Sequence, residues 1–212
     1  MTRDDIVVIM GDFGACWDGG KQDKYIQEWH ESKNYTTLAI AGNHENYDII
    51  SGLPIVEKWG GKVYQVTPHV FYTITGEVYD IAGYRCLAVN GADSHDREIR
   101  KEGINWWPEE RITPEQIFNM FNKLDGKNIH KVDFIFSHTG GPFVTKMFGF
   151  NPSPSDEEFY KIYRRKYAGL LNWDIHYCGH YHQDKWIFND VHCLYNKVYE
   201  IINGKERLCK SF

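Results

Sequence analysis

Ile6-Val7-Val8-Ile9-Met10 is an unbroken apolar run, mostly β-branched, that stops at Gly11-Asp12. A run without polar alternation predicts a strand covered on both faces, as in parallel or mixed sheets. Gly14, Gly19 and Gly20 predict a long loop. Residues 21–32 place Tyr25, Ile26 and Trp29 at helical spacing, and Thr36 to Ile40 predicts a second buried strand ending at Gly42-Asn43-His44-Glu45. Strand, loop, helix and strand in succession point to α/β layering. Short strand-like runs follow at 63–66, 70–75, 77–81 and 85–89, divided by Pro68, Gly76 and Gly83. They predict an antiparallel meander.

Residues 93–112 are polar around Trp106-Trp107-Pro108 and read as an excursion or lid within one domain spanning 1–212. Thr113, Pro114 and Gln116 form a capping-box helix start, with the helix running to about Leu124. Val132 to Phe136 predicts a strand ending at Ser137-His138-Thr139-Gly140-Gly141. Residues 149–155 read as loop, and Ser155 as the cap of a helix opened by Asp156, Glu157 and Glu158. Asp174 to Cys178 predicts a strand ending at Gly179-His180-Tyr181-His182. The last strands lie between Val191 and Ile202, with a hairpin turn at Asn203-Gly204.

Composition narrows the class. The 212 residues are 42% hydrophobic and 25% charged, with a formal charge of -5. That is an ordinary folded chain with no electrostatic footprint for duplex nucleic acid or an anionic membrane. The five cysteines are odd in number and scattered, which argues against a disulfide framework and for a cytoplasmic setting. No run approaches the length of a membrane span.

Ten histidines direct attention to the strand ends. Four apolar runs stop at a small residue followed by a metal-capable side chain: Gly11-Asp12, Gly42-Asn43-His44, Ser137-His138 and Gly179-His180-Tyr181-His182. Ligands gather at the carboxyl ends of strands in open α/β sheets. Taken singly, the first two are strand-ending turns and His138 is a core histidine. A small zinc site on His176, Cys178, His180 and His182, which share strand parity, is a separate reading of the last segment. Together and in this order, the four segments assemble a carboxylate, an amide oxygen and imidazoles, a set suited to Mn, Fe or Zn more than to Ca. Arg97 and Arg100, after a strand end in the excursion, are candidates for binding a phosphate by paired hydrogen bonds, or belong to a solvated loop. Trp106 and Trp107 are either lid packing or a platform for a nucleobase.

The segments GDFG at 11–14, GNHE at 42–45, SHTG at 137–140 and GHYH at 179–182 resemble, in order, motifs of the calcineurin-like metallophosphoesterases. The likeness is greatest to small bacterial and phage members and runs from about residue 5 to about residue 200. It implies two mixed sheets packed face to face and flanked by helices in four α/β/β/α layers. It also implies a metal-dependent phosphoesterase acting on a small phosphomonoester, phosphodiester or nucleotide. Asp12, Asn43, His138 and His180 match metal ligands, His182 a ligand of a second metal, and His44 the group that protonates the leaving oxygen. The pattern departs from the family at two places. The family's first motif, DxH, has no counterpart ahead of Gly11, so the resemblance implies one complete metal position, a doubtful second one and a missing first strand. Either Met1 is a false start or the chain is a degenerate member. A catalytically inactive phosphate- or nucleotide-binding protein on the same fold is the alternative. The edge at Ile6 to Met10 must be covered by the chain's own C-terminal strand, pair with another chain or leave the fold poorly stable, and pairing in a homo-oligomer is the expectation. Ala15 stands where many members carry an acid that orients the catalytic histidine, with Asp18 as a possible substitute.

Overall fold

The computed structural model describes residues 1–211. Two mixed sheets carry the architecture. The first contains β1 (Ile6–Ile9), β2 (Thr36–Ala39), β3 (Ile55–Lys58), β4 (Gly61–Thr67) and β5 (Val70–Thr73), in the order β1-β2-β5-β4-β3. The second contains β6 (Val78–Ile81), β7 (Tyr84–Val89), β8 (Phe134–Ser137), β9 (Ile175–Cys178), β10 (Lys185–Ile187) and β11 (Val191–Cys193), in the order β10-β11-β9-β8-β7-β6. β1 runs parallel to β2, and β7, β8 and β9 run parallel to one another. Among the described residues β1 is an edge strand, paired only with β2. A separate hairpin, β12 (Lys197–Ile202) and β13 (Lys205–Ser211), closes the chain through Asn203-Gly204, both at positive φ.

The unbroken apolar runs have a direct physical cause. Along β2, Leu38 and Ile40 enter the core between the two sheets, while Ala39 and Ala41 enter a second core on the outer face. Along β8, Phe134 and Phe136 face the first sheet, while Ile135 faces the helices. Strand parity is kept, but both faces are dry, so no polar residue marks either one. The outer helices are α1 (Lys21–Glu31) and α2 (Tyr47–Ser51) beside the first sheet, and α3 (Pro114–Gly126), α4 (Pro142–Met147) and α5 (Pro154–Tyr167) beside the second. The result is the four-layer α/β/β/α arrangement.

Several elements depart from the sequence reading. The stretch 63–89 is not one meander. β3, β4 and β5 form an antiparallel unit in the first sheet, the chain crosses over at Thr75-Gly76, and β6 and β7 pair in the second. Gly76 sits at φ +82° against Met120 of α3, so the crossing turns where no Cβ would fit comfortably. Helix α5 is capped by Ser153, two residues earlier than Ser155, with Pro154 at its first position and Asp156 closing a capping box. On α1 the inward face is Asp23, Ile26, Gln27 and His30, while Tyr25 and Trp29 are exposed. No helix is long and apolar enough to cross a membrane among the described residues.

His176 lies wholly buried on β9, stacked on Phe159 of α5. The Ser137 hydroxyl donates to the Thr139 carbonyl, so the His176 Nε2–H is assigned as donor to Ser137 Oγ at 2.6 Å and Tyr163 OH as donor to Nδ1 at 2.8 Å. Both ring nitrogens are thus satisfied only in the neutral form, and burial pushes the imidazole down to about 3. The folded-state value lies below the unfolded one, so its contribution to stability is present above about pH 6.5 and is lost as pH falls. Each pH unit below that point should weaken folding by roughly tenfold through this one proton. Chemical denaturation between pH 4.5 and 7 should show this slope reduced by about one proton in His176→Gln; an unchanged slope would assign acid sensitivity elsewhere.

Candidate metal centre and active site

The four strand ends β1, β2, β8 and β9 meet at one rim of the sandwich, two from each sheet. The backbones approach closely there, and the glycines are the reason they can. A Cβ on Gly11, which sits at φ +101°, would lie 1.9 Å from His138 Nδ1, and one on Gly42 would lie 2.1 Å from Asp12 Oδ1. The Gly42 overlap includes the Asp12 backbone nitrogen at 2.7 Å, which no change of rotamer relieves. Gly42→Ala should therefore displace the Asp12 loop, lowering thermal stability by several degrees and disturbing the near-ultraviolet circular dichroism of the neighbouring aromatics. An unperturbed melting curve would contradict the close approach. Asp12 and His180 themselves hold left-handed backbone, at φ +52° and +69°. Such strain persists where the surroundings impose it and clusters at functional sites.

Four side chains converge at this rim. His138 Nε2 lies 3.3 Å from Asp12 Oδ2 and 3.1 Å from Asn43 Oδ1, and His180 Nδ1 lies 3.0 Å from the same Asn43 oxygen. His138 Nδ1–H donates to the Met10 carbonyl at 2.7 Å, so the neutral ring turns a lone pair toward two oxygens that are themselves acceptors. Only a proton or a cation reconciles that arrangement. Atoms bound to one transition-metal ion at about 2.1 Å in neighbouring positions stand roughly 3 Å apart, which is the spacing observed. The donor set therefore fits a divalent metal. Among the described residues no three His, Cys, Asp or Glu side chains form a group that could hold a metal ion; the Asn43 amide oxygen is the atom that lies within 3.1 Å of both histidines.

Charge follows the same geometry. Burial pushes Asp12 up, but His138 and the His44 amide outweigh it and hold the carboxyl well below the usual range. Burial pushes His138 down, yet Asp12 prevails and holds it above the usual value. Burial, with His138 adding to it, pushes His180 down to about 3, leaving it neutral and able to ligate.

An outer network fixes the amide. Asn43 Nδ2 donates to Ser94 Oγ at 3.1 Å, which directs Oδ1 inward. Ser94 in turn donates its hydroxyl and its backbone N–H to Glu110, at 2.9 and 2.6 Å. Ser94 and Glu110 are both buried, so residues 93–112 reach back into the site at both ends rather than covering it loosely. Glu45, fully buried, accepts from Phe13 N at 2.7 Å and Tyr72 OH at 2.8 Å and so ties the Asp12 loop to the Asn43 loop. Ser94, Glu110 and Glu45 carry no signal in a single sequence beyond neighbouring a motif. Ser94→Ala should weaken metal affinity about 10- to 100-fold, the usual effect of removing an outer partner. Titration with Mn²⁺ measures it, and an unchanged affinity would remove Ser94 from the network.

The remaining expected residues divide. His44 is exposed; its backbone N–H donates to Asp12 Oδ1 at 2.9 Å, and its ring lies 3.2 Å from Arg100 Nη2. Burial of part of the ring, with Arg100 adding to it and Asp12 opposing, holds His44 below the usual histidine value. Arg100 is itself held by Asp96 at 2.7 and 2.8 Å and by the Asn105 carbonyl. Arg97 instead faces the Trp106 ring. His182 is exposed and stacks on Tyr195 at 4.9 Å, outside hydrogen-bond reach of the four-residue shell. Asp18 does not orient His44; its carboxylate accepts from Gly20 N. The zinc reading of 176–182 fails because His176 spends both nitrogens in the core, and positive φ at His180 and His182 breaks strand parity.

A family model described as calcineurin-like phosphoesterase matches residues 2–184. Comparison with curated proteins finds no match.

Proposed function

Since this chain belongs to the calcineurin-like phosphoesterase family, we propose that it hydrolyses a small phosphomonoester, phosphodiester or nucleotide at the rim where Asp12, Asn43, His138 and His180 meet. Three contacts of 3.0–3.3 Å that link Asp12 to His138, His138 to Asn43 and Asn43 to His180 carry the reading. A bound divalent ion, of the Mn, Fe or Zn type, supplies Lewis acidity toward water and phosphoryl oxygen. The chain's own groups do the rest. The Met10 carbonyl fixes the His138 ring, and Ser94 fixes the Asn43 amide, so the donors are set before substrate arrives. His44, anchored to Asp12 through its backbone, turns its imidazole to the open side, where it serves as proton donor to the leaving alcohol. Arg100 borders that ring and completes a positive edge for phosphate. His182, apart from the shell, belongs to a second and weaker metal position.

That separation of His182 also favours the alternative, a phosphate- or nucleotide-binding protein without turnover. One assay distinguishes the two. Purified protein is stripped with chelator, reloaded with Mn²⁺ and tested on p-nitrophenyl phosphate and its bis-ester. Metal-dependent release of nitrophenol supports hydrolysis; phosphate binding without release supports the alternative; neither result contradicts both.

A further inference from the structure

An open cleft of about 300 Å³ is lined by Asp12 and His44 at one end and by Gly14, Trp17, Asp18, Gln22, Asp23 and Ile26 along its length. It thus begins at the reacting centre and runs away from it between the 13–20 loop and α1. Its size is at the lower end of small-ligand sites. Trp17 is unusually well braced for a loop residue. Its N–H donates to buried Asp23 at 2.7 Å, and its carbonyl accepts from Asn46 at 2.8 Å. Its indole meets Trp107 edge-on at 5.5 Å. Trp107 is buried and donates its own indole N–H to Asp48 at 2.9 Å. Ile26 supplies a second apolar contact, and Gln22, exposed, offers an amide at the mouth. The charged residues on the lining are all carboxylates, with no lysine or arginine among them.

We infer that this cleft is the alcohol-side subsite and that it selects phosphoesters whose alcohol half is an uncharged planar ring, aryl or nucleoside, with Trp17 as the residue that recognises it. The inference rests on the phosphoester reading above. A phosphate seated against Asp12 and His44 places its ester substituent in the cleft, where a preset indole favours a π-face. Beyond the Asp12 end, Asp18 and Asp23 line the cleft with no lysine or arginine beside them, which disfavours a substituent carrying its own negative charge.

The test uses non-hydrolysable phosphonates and calorimetric binding to the Mn²⁺-loaded protein. Phenylphosphonate and the phosphonate analogue of adenosine monophosphate are compared with methylphosphonate and 2-carboxyethylphosphonate. At least one ring phosphonate should bind about tenfold tighter than methylphosphonate, and the carboxyethyl compound no tighter than methyl. Which ring compound leads separates an aryl from a nucleoside preference. Trp17→Ala should erase the ring advantage while leaving methylphosphonate affinity unchanged, which also shows that the variant is folded; Trp17→Phe should keep most of it. Equal binding of ring and methyl compounds by the wild type, or an unchanged ratio in Trp17→Ala, overturns the subsite and leaves the phosphoester reading standing. Failure of every phosphonate to bind overturns the phosphoester reading and the subsite with it.

Discussion

His138→Ala should remove the bound metal and lower kcat/KM for an aryl phosphate on the order of a thousandfold or more. The size follows from the several kcal/mol of transition-state stabilisation that a bound ion provides. The direction follows from position. His138 faces two of the other donors directly, with Nε2 within 3.3 Å of Asp12 and 3.1 Å of Asn43, and it joins the only carboxylate of the set to the amide. It is buried and fixed by the Met10 carbonyl, so its removal takes away the nitrogen that lies between the Asp12 and Asn43 oxygens. Elemental analysis and steady-state kinetics on the same preparation check both halves. Retained metal with retained turnover would place the chemistry away from this rim.

His44→Ala should lower kcat by about 10²- to 10⁴-fold, the usual contribution of a positioned proton donor, while metal content stays at the wild-type level. The separation of the two effects is a consequence of which atom does what. The contact from His44 to Asp12 is made by the backbone N–H, which alanine keeps, whereas the imidazole points to the open side beside Arg100. Loss of metal in this variant would show that the ring holds the shell together rather than serving the substrate. A rate unchanged within twofold would remove it from proton transfer.

Much of this arrangement was legible because one physical constraint wrote itself into neighbouring residues. A strand buried on both faces must be apolar throughout, and a strand that ends at a ligand must turn sharply beside it. Phe134-Ile135-Phe136-Ser137-His138 records both facts in five letters, whereas Ile6 to Met10, equally apolar, forms an edge strand that is only half-buried. The capping box at Thr113-Pro114-x-Gln116 was equally local and appears as expected. Ser153-Pro154-Ser155-Asp156 has the same form, and the adjoining acids drew attention to the wrong serine.

What stayed hidden depends on contacts far apart in sequence. The split of residues 63–89 between two sheets is decided by which parallel neighbour each end finds, β2 for β5 and β8 for β7, and no local period records that choice. Helix α1 reads misleadingly because Asp23 and His30, polar residues, take its buried side. Asp23 is consumed by three backbone N–H groups of the 17–19 loop and His30 faces Thr37. Ser94 and Glu110 support Asn43 from 51 residues away in the first step and 16 in the next, and Trp107 braces Trp17 from the excursion. Such partners are set by the fold, and a single sequence offers only their identity as polar or aromatic residues near a motif.

The central claim is that the strand-end rim holds a catalytic cation through Asp12, Asn43, His138 and His180. Anomalous scattering from crystals of the protein soaked in Mn²⁺ tests it most directly. The account predicts a strong manganese peak bounded by Asp12 Oδ2, Asn43 Oδ1, His138 Nε2 and a His180 ring nitrogen, with any peak at His182 weaker. A single strong peak at His182, or none at the rim with the protein fully folded, would contradict it.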